Sequence, residues 1–175
     1  MRLRRVGLIM PSNQDPAIKG FLSYAHRNET RVARLKEHLS PLTRNRDLEL
    51  WSDHIIQPGE TWEKAIGDQL AKSQLVLLCV SSAFLASDYI YEKELKLAIA
   101  RQQRGECYVV PVILEYCQWR VLKIGGLTLG DLQAVPTGGK PIEGWRPAGR
   151  GYADAAGRIM ERVRSLQLAK PTAVR

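Results

Sequence analysis

Cysteine is scarce. The chain has three, Cys79, Cys107 and Cys117, an odd number with no CxxC pair and no zinc-ligand spacing. This sets aside a disulfide framework and a cysteine-based metal site. Cys79 and Cys107 fall in apolar runs and read as buried thiols, so a reducing, cytoplasmic compartment is expected. Long apolar stretches are missing as well. The opening MRLRRVGLIM has a basic head, but the apolar run behind it is five residues long and no small-residue cleavage site follows. A signal peptide is not expected there, and no segment approaches the length of a membrane span. Acidic residues are outnumbered, 18 against 26 Lys and Arg, for a net charge of +8. Such a balance favours anionic partners. The basic residues are spread along the chain, with only a small cluster at Arg2, Arg4 and Arg5. No recognition motif with interleaved aromatics accompanies them, so nucleic acid is not an expected partner.

What is present alternates between short apolar runs and helical patterns. AIKGFLSY (17–24) reads as a first strand, and Val32, Leu35, Leu39 and Leu42 then recur at helical spacing. LELW (48–51) reads as a second strand, SDHIIQPGE as a loop, and Trp62, Ile66 and Leu70 as a helix face. QLVLLCVS (74–81) is a continuous apolar run, the mark of a parallel strand buried on both faces. A helix over 89–103 follows, then CYVVPVILE (107–115), whose Pro111 suggests an edge position or a bulge. Residues 140–143 suggest a short fifth strand, and Ile159, Val163 and Leu166 a closing helix. The pattern predicts an α/β domain over residues 17–168, with a parallel sheet between helices, a leader over 1–16 and a tail or linker start over 169–175. No internal repeat is visible.

Ligands of such open sheets sit beyond the carboxyl ends of the strands, which selects 23–27, 52–62, 81–91 and 115–119. Several chemistries are excluded there. No G-x-G-x-x-G opens a helix, since GGLTLG (125–130) does not fit, and there is no Walker lysine and no G-x-S-x-G elbow. The first strand ends in Ser-Tyr-Ala-His, without the acidic cluster that would hold magnesium. His26, His38 and His54 make no metal-ligand spacing, and no metal is expected. His38 reads as structural, whereas His26 and His54 fall on the functional rim.

Four ordered blocks carry a family resemblance: GFLSYAHRNE (20–29), LELWSDHIIQPGETWEKAI (48–66), LVLLCVSSAFLASDYIYEKEL (75–95) and VVPVILEYCQW (109–119). Together they resemble the TIR (Toll/interleukin-1 receptor) domain in its bacterial, NAD-cleaving style. The resemblance implies a flavodoxin-like three-layer sandwich with a central five-stranded parallel sheet. It also implies one of two functions. One is cleavage of NAD at the nicotinamide–ribose bond as a glycohydrolase or ADP-ribosyl cyclase, in immune defence, with NAD as substrate and no cofactor. The other is a non-catalytic scaffold that binds other TIR domains. Glu94 matches the essential glutamate of the enzymes. Tyr89 matches the aromatic ahead of it, and Trp119 the tryptophan that stacks on the base or nicotinamide. Tyr24 and Ala25 lie where main chain approaches a ligand, and Arg27 is placed to meet the pyrophosphate. Ile55, Ile56, Pro58 and Gly59 lie in the BB loop, through which the family self-associates, often with a sensor module fused to the domain.

The residues themselves single out Glu94. Glu92 has Lys96 four positions on and can form a helical ion pair, while Glu94 has Ile90, Tyr91, Leu97 and Ala98 at those spacings, none of them a cation. On a regular helical wheel Glu94 borders the apolar stripe of Tyr91, Leu95, Ala98 and Ile99. A carboxylate there can serve a cationic ribosyl centre; a solvated surface glutamate is the alternative. Trp51 and Trp62 read chiefly as packing on either side of the BB loop.

Overall fold

The structure, a computed structural model, describes residues 16–52 and 61–169. Four parallel strands, β1 (Ile18–Tyr24), β2 (Leu48–Trp51), β3 (Leu75–Val80) and β4 (Tyr108–Ile113), form one sheet in the order β2-β1-β3-β4. β3 is buried at every position, as its unbroken apolar run requires in a sheet covered on both faces. Gly20 in β1 meets β2 closely: a Cβ there would lie 3.0 Å from Leu48 Cδ1 and 3.1 Å from Leu50 Cδ1.

Helices cover both faces. Val32, Leu35, Leu39 and Leu42 of α1 (Glu29–Arg44) join Tyr152, Ala155, Ala156, Ile159 and Val163 of α5 (Ala148–Leu168) in a core against one face. Ile66 and Leu70 of α2 (Trp62–Lys72) and Ala98 and Ile99 of α4 (Lys96–Gln103) pack with Phe21, Val76 and Leu78 on the other. A one-turn helix, α3 (Ser82–Leu85), follows β3 and is capped by the Ser81 hydroxyl, which accepts from Phe84 N–H at 2.9 Å. A small antiparallel hairpin, β5 (Lys123–Ile124) and β6 (Leu127–Thr128), lies beyond β4.

Among the described residues the main sheet has four strands, not the five expected. Residues 140–143 do not form a strand; Pro141 leads into a 3-10 turn over Ile142–Gly144. The backbone of β4 explains why. Tyr108 and Leu114 donate inward, to Gln74 and Val80 carbonyls, so the amides of 109, 111 and 113 point outward. The Val109 N–H is taken by the Gln102 side chain, and residue 111 is proline with no N–H to give. Ile113 N–H donates to Val135 O at 2.8 Å, and Val135 N–H returns to Pro111 O at 2.8 Å. One bridged residue, Val135, therefore stands where a fifth strand would pair. Pro111 does lie on an edge strand, as its residue type suggested.

A second departure lies between β3 and α4. The expected helix over 89–103 is regular only from Lys96; Ile90–Leu95 is a π-helical turn. Its buried residues are Ile90, Glu94 and Leu95, the i, i+4, i+5 set that a wider turn places on one face.

Candidate active site

The strand order reverses between β1 and β3. From β1 the chain crosses to β2 on one side, and from β3 to β4 on the other. Such a switch point leaves a crevice at the carboxyl ends of the two strands. A cavity of about 270 Å³ occupies it, lined by Tyr24, Ala25 and His26 from the end of β1, Trp62 from the start of α2, and Ser87, Tyr89, Ile90 and Glu94 from the segment after β3.

Glu94 is the charged group at its inner wall. It is only 7 % exposed, and its Oε2 accepts a hydrogen bond from the buried Ser23 hydroxyl. The regular wheel put Glu94 on a border; the π-turn brings it inside. Its neighbours behave differently. Glu92 pairs with Lys96 at 2.6 Å in solvent, and Lys93 reaches across to Glu63 of α2 at 3.4 Å. The start of the turn is pinned by Ser87, whose carbonyl accepts from Tyr91 N–H at 3.0 Å and whose hydroxyl accepts from Ile90 N–H at 3.3 Å. Away from the lining, the Ser81 hydroxyl donates to Asn28 Oδ1 at 2.6 Å, tying the turn after β1 to the end of β3.

The outer wall is aromatic. The Tyr24 and His26 rings meet edge-on at 6.4 Å, and His26 lies 6.0 Å from the tilted Trp62 ring. Trp62 is 42 % exposed. The Tyr89 hydroxyl oxygen is buried and makes no hydrogen bond of normal geometry. Burial is the main cause that raises its pKa; the negative charges of Glu94 and Glu63 add to the rise, and a loose hydrogen-bond contact with the Trp62 side chain opposes it. The crevice thus offers a fixed, desolvated carboxylate facing a wall of rings. It can hold a planar group and stabilise positive charge developing beside it. Among the described residues no group of His, Cys, Asp and Glu is arranged to hold a metal ion.

Over residues 21–143 the sequence matches the TIR domain family. The chain belongs to that family. It is also similar to "Uncharacterized protein y4lF" of Sinorhizobium fredii (strain NBRC 101917 / NGR234), with 37% identity over 141 residues, 81% of this chain and 42% of that protein. The TIR chain therefore spans less than half the length of that relative. Among the described residues no helix is long and apolar enough to cross a membrane.

Within this TIR domain the structure brings Tyr24, Ala25, Tyr89 and Glu94 to one cavity. It does not bring Trp119 there. Trp119 is 4 % exposed, in a 3-10 turn with Arg120 and Val121, and it packs in the core with Phe21, Ile99 and Leu129. The Arg120 guanidinium covers its ring at 4.4 Å, and a Cβ on Gly139 would lie 2.9 Å from its Cζ2. Arg27 is exposed and is not a lining residue; its charge acts on Glu115. Ile55, Ile56, Pro58 and Gly59, with His54, lie outside the described residues.

Three contributors went unread in the sequence. Ser23 carried a signal, a hydroxyl buried between Leu22 and Tyr24 at the carboxyl end of the strand. Ser87 and Ile90 carried none, since their role depends on where the π-turn begins. Trp62, expected to pack, instead stands at the mouth of the cavity.

Proposed function

We propose that this TIR domain cleaves NAD at the nicotinamide–ribose bond, with Glu94 as the catalytic carboxylate. The observation that carries the reading is the position of Glu94: a buried, oriented carboxylate lining the cavity at the β1–β3 switch point. The reaction suits a single carboxylate. Glycosidases generally use two because a leaving oxygen must be protonated. Nicotinamide departs from a cationic pyridinium; the C1′–N bond breaks with its electron pair going to the ring nitrogen, and no general acid is needed. The ribosyl centre left behind is oxocarbenium-like, and Glu94 stabilises its charge and holds the ribose hydroxyls. Attack on C1′ by water, with loss of one proton to solvent, gives ADP-ribose, and attack by a ring nitrogen of adenine gives a cyclic product. Trp62, His26 and Tyr24 supply the surface against which the nicotinamide ring lies.

The size of the cavity adds a condition. At about 270 Å³ it falls below the ~300–1,000 Å³ of sites that enclose a drug-sized ligand. A dinucleotide placed with its nicotinamide riboside inside leaves its adenosine half beyond these walls. We therefore extend the proposal to assembly: a second TIR domain completes the site, and activity rises with self-association. Nicotinamide release from NAD, followed across a range of protein concentrations alongside light scattering, tests both parts. Release whose specific rate climbs as particles grow is expected. No release at any concentration refutes the enzymatic reading, and a flat specific rate from monomers refutes the assembly condition.

A further inference from the structure

The Ser23 hydroxyl sits near the carboxyl end of β1, 1 % exposed, on a strand that pairs with β2 as far as Phe21 and with β3 as far as Tyr24. A buried hydroxyl needs a partner, and the partner here is a carboxylate 71 residues away in sequence. The strand lies inside the sheet, between β2 and β3. Phe21, two residues earlier on the same face of the strand, packs with residues of α2 and α4, and Ser23 pairs in register with Leu78 of β3. The π-turn over Ile90–Leu95 delivers Glu94 to that face from the other side. The two features meet at one point: the turn sets where the carboxylate arrives, and the strand hydroxyl sets how it is rotated.

We propose that Ser23 is the positioning residue of the site: its hydroxyl, fixed in the central strand, orients the Glu94 carboxylate toward the cavity. Ser23 need not touch substrate, and it acts through Glu94 alone. Neither the hydroxyl of a loop residue nor a water could hold the carboxylate as tightly, because each would have to be ordered when substrate binds. A hydrogen bond to the charged form also favours that form, so removing the Ser23 hydroxyl should make the carboxylate easier to protonate. The inference rests on the reading of Glu94 as the catalytic carboxylate, and its test separates the two.

The test compares Ser23→Ala and Ser23→Thr with the unsubstituted chain, each first shown folded by circular dichroism. In nicotinamide release, Ser23→Ala is expected to lower kcat by about 10- to 100-fold, the worth of one charge-assisted hydrogen bond, with KM nearly unchanged. The acid limb of its pH–rate profile is expected to move to higher pH, and Ser23→Thr, which keeps the hydroxyl, to recover part of the rate. A loss confined to stability, with kcat and profile unmoved, would overturn the proposal. A second readout needs no catalysis. The Glu94 carboxyl is titrated by carbon-13 NMR, assigned by its disappearance in Glu94→Gln. Its midpoint is expected to rise in Ser23→Ala and to stay near the original in Ser23→Thr; an unmoved midpoint in Ser23→Ala overturns the positioning role. If the chain releases no nicotinamide at all while the midpoint still moves, the proposed reaction fails and the Ser23–Glu94 coupling stands.

Discussion

Replacing Tyr89 with phenylalanine is expected to make the protein more stable. The Tyr89 hydroxyl oxygen is buried without a hydrogen bond of normal geometry, beside the carboxylates of Glu94 and Glu63. Leaving a buried polar group unpaired costs about 1–3 kcal/mol. Deleting one oxygen leaves a void smaller than a methyl group, a penalty below about 1 kcal/mol. The balance favours Tyr89→Phe by about 1 kcal/mol, which for a domain of this size corresponds to a rise in Tm of about 2–4 °C. Burial raises the phenol's pKa, with Glu94 and Glu63 adding to the effect. The phenol is therefore essentially neutral in both folded and unfolded chains up to about pH 9, and the gain should not vary with pH from 6 to 9. Chemical unfolding with an unchanged m-value, together with calorimetry, measures it. A loss of 1 kcal/mol or more would show that the contact with the Trp62 side chain is a hydrogen bond of full worth and that the reasoning is wrong. In the same variant NAD cleavage should persist, because the ring remains on the cavity wall.

The two tryptophans should separate cleanly. Trp62→Ala removes an exposed ring at the cavity mouth, so it should weaken NAD binding by about fivefold with little change in Tm. Trp119→Ala opens a core void and should cost about 3–5 kcal/mol, seen as a large drop in Tm. A stable Trp119→Ala with weakened NAD binding and a silent Trp62→Ala would return the stacking role to Trp119. Glu115 carries an acid-dependent part of the stability. Burial pushes its pKa up, but hydrogen bonds from the Ser82 hydroxyl and N–H, with Arg31 and Arg27, outweigh it and leave the pKa lowered. A lowered carboxylate stabilises the fold above the unfolded value of about 4.3 and loses that contribution as pH falls through the folded value. Glu115→Gln should therefore be less stable at neutral pH and show a flatter decline below about pH 5; parallel curves would contradict this.

How far the sequence could be read depended on whether a feature was local. β3 was legible because six consecutive apolar residues admit little except a strand buried on both faces. Leu48–Trp51 was legible to the residue. Pro111 announced the sheet edge, yet its consequence was missed: the residue that marks an edge also helps to refuse a fifth strand. That refusal depends on Gln102 and Val135, which meet β4 only in the folded chain. Glu94 was visible through the absence of a helical cation, but its burial was not. A wheel assumes 100° per residue, and the π-turn breaks that assumption at the residue that matters. Trp119 and Trp62 exchanged their expected surroundings for a similar reason. Composition cannot tell which of two aromatics faces the core, and the close approach of Gly139 and Arg120 decided it for Trp119.

The central claim is that one carboxylate does the chemistry, and a matched pair of isosteric substitutions tests it most directly. Glu92 and Glu94 stand two residues apart; one is paired with Lys96 in solvent, and the other is buried against Ser23. Nicotinamide release from NAD should be abolished in Glu94→Gln while the fold survives, since the amide can still accept from Ser23. Glu92→Gln should release nicotinamide at nearly the unsubstituted rate. Equal activity of Glu94→Gln and the unsubstituted protein would contradict the account.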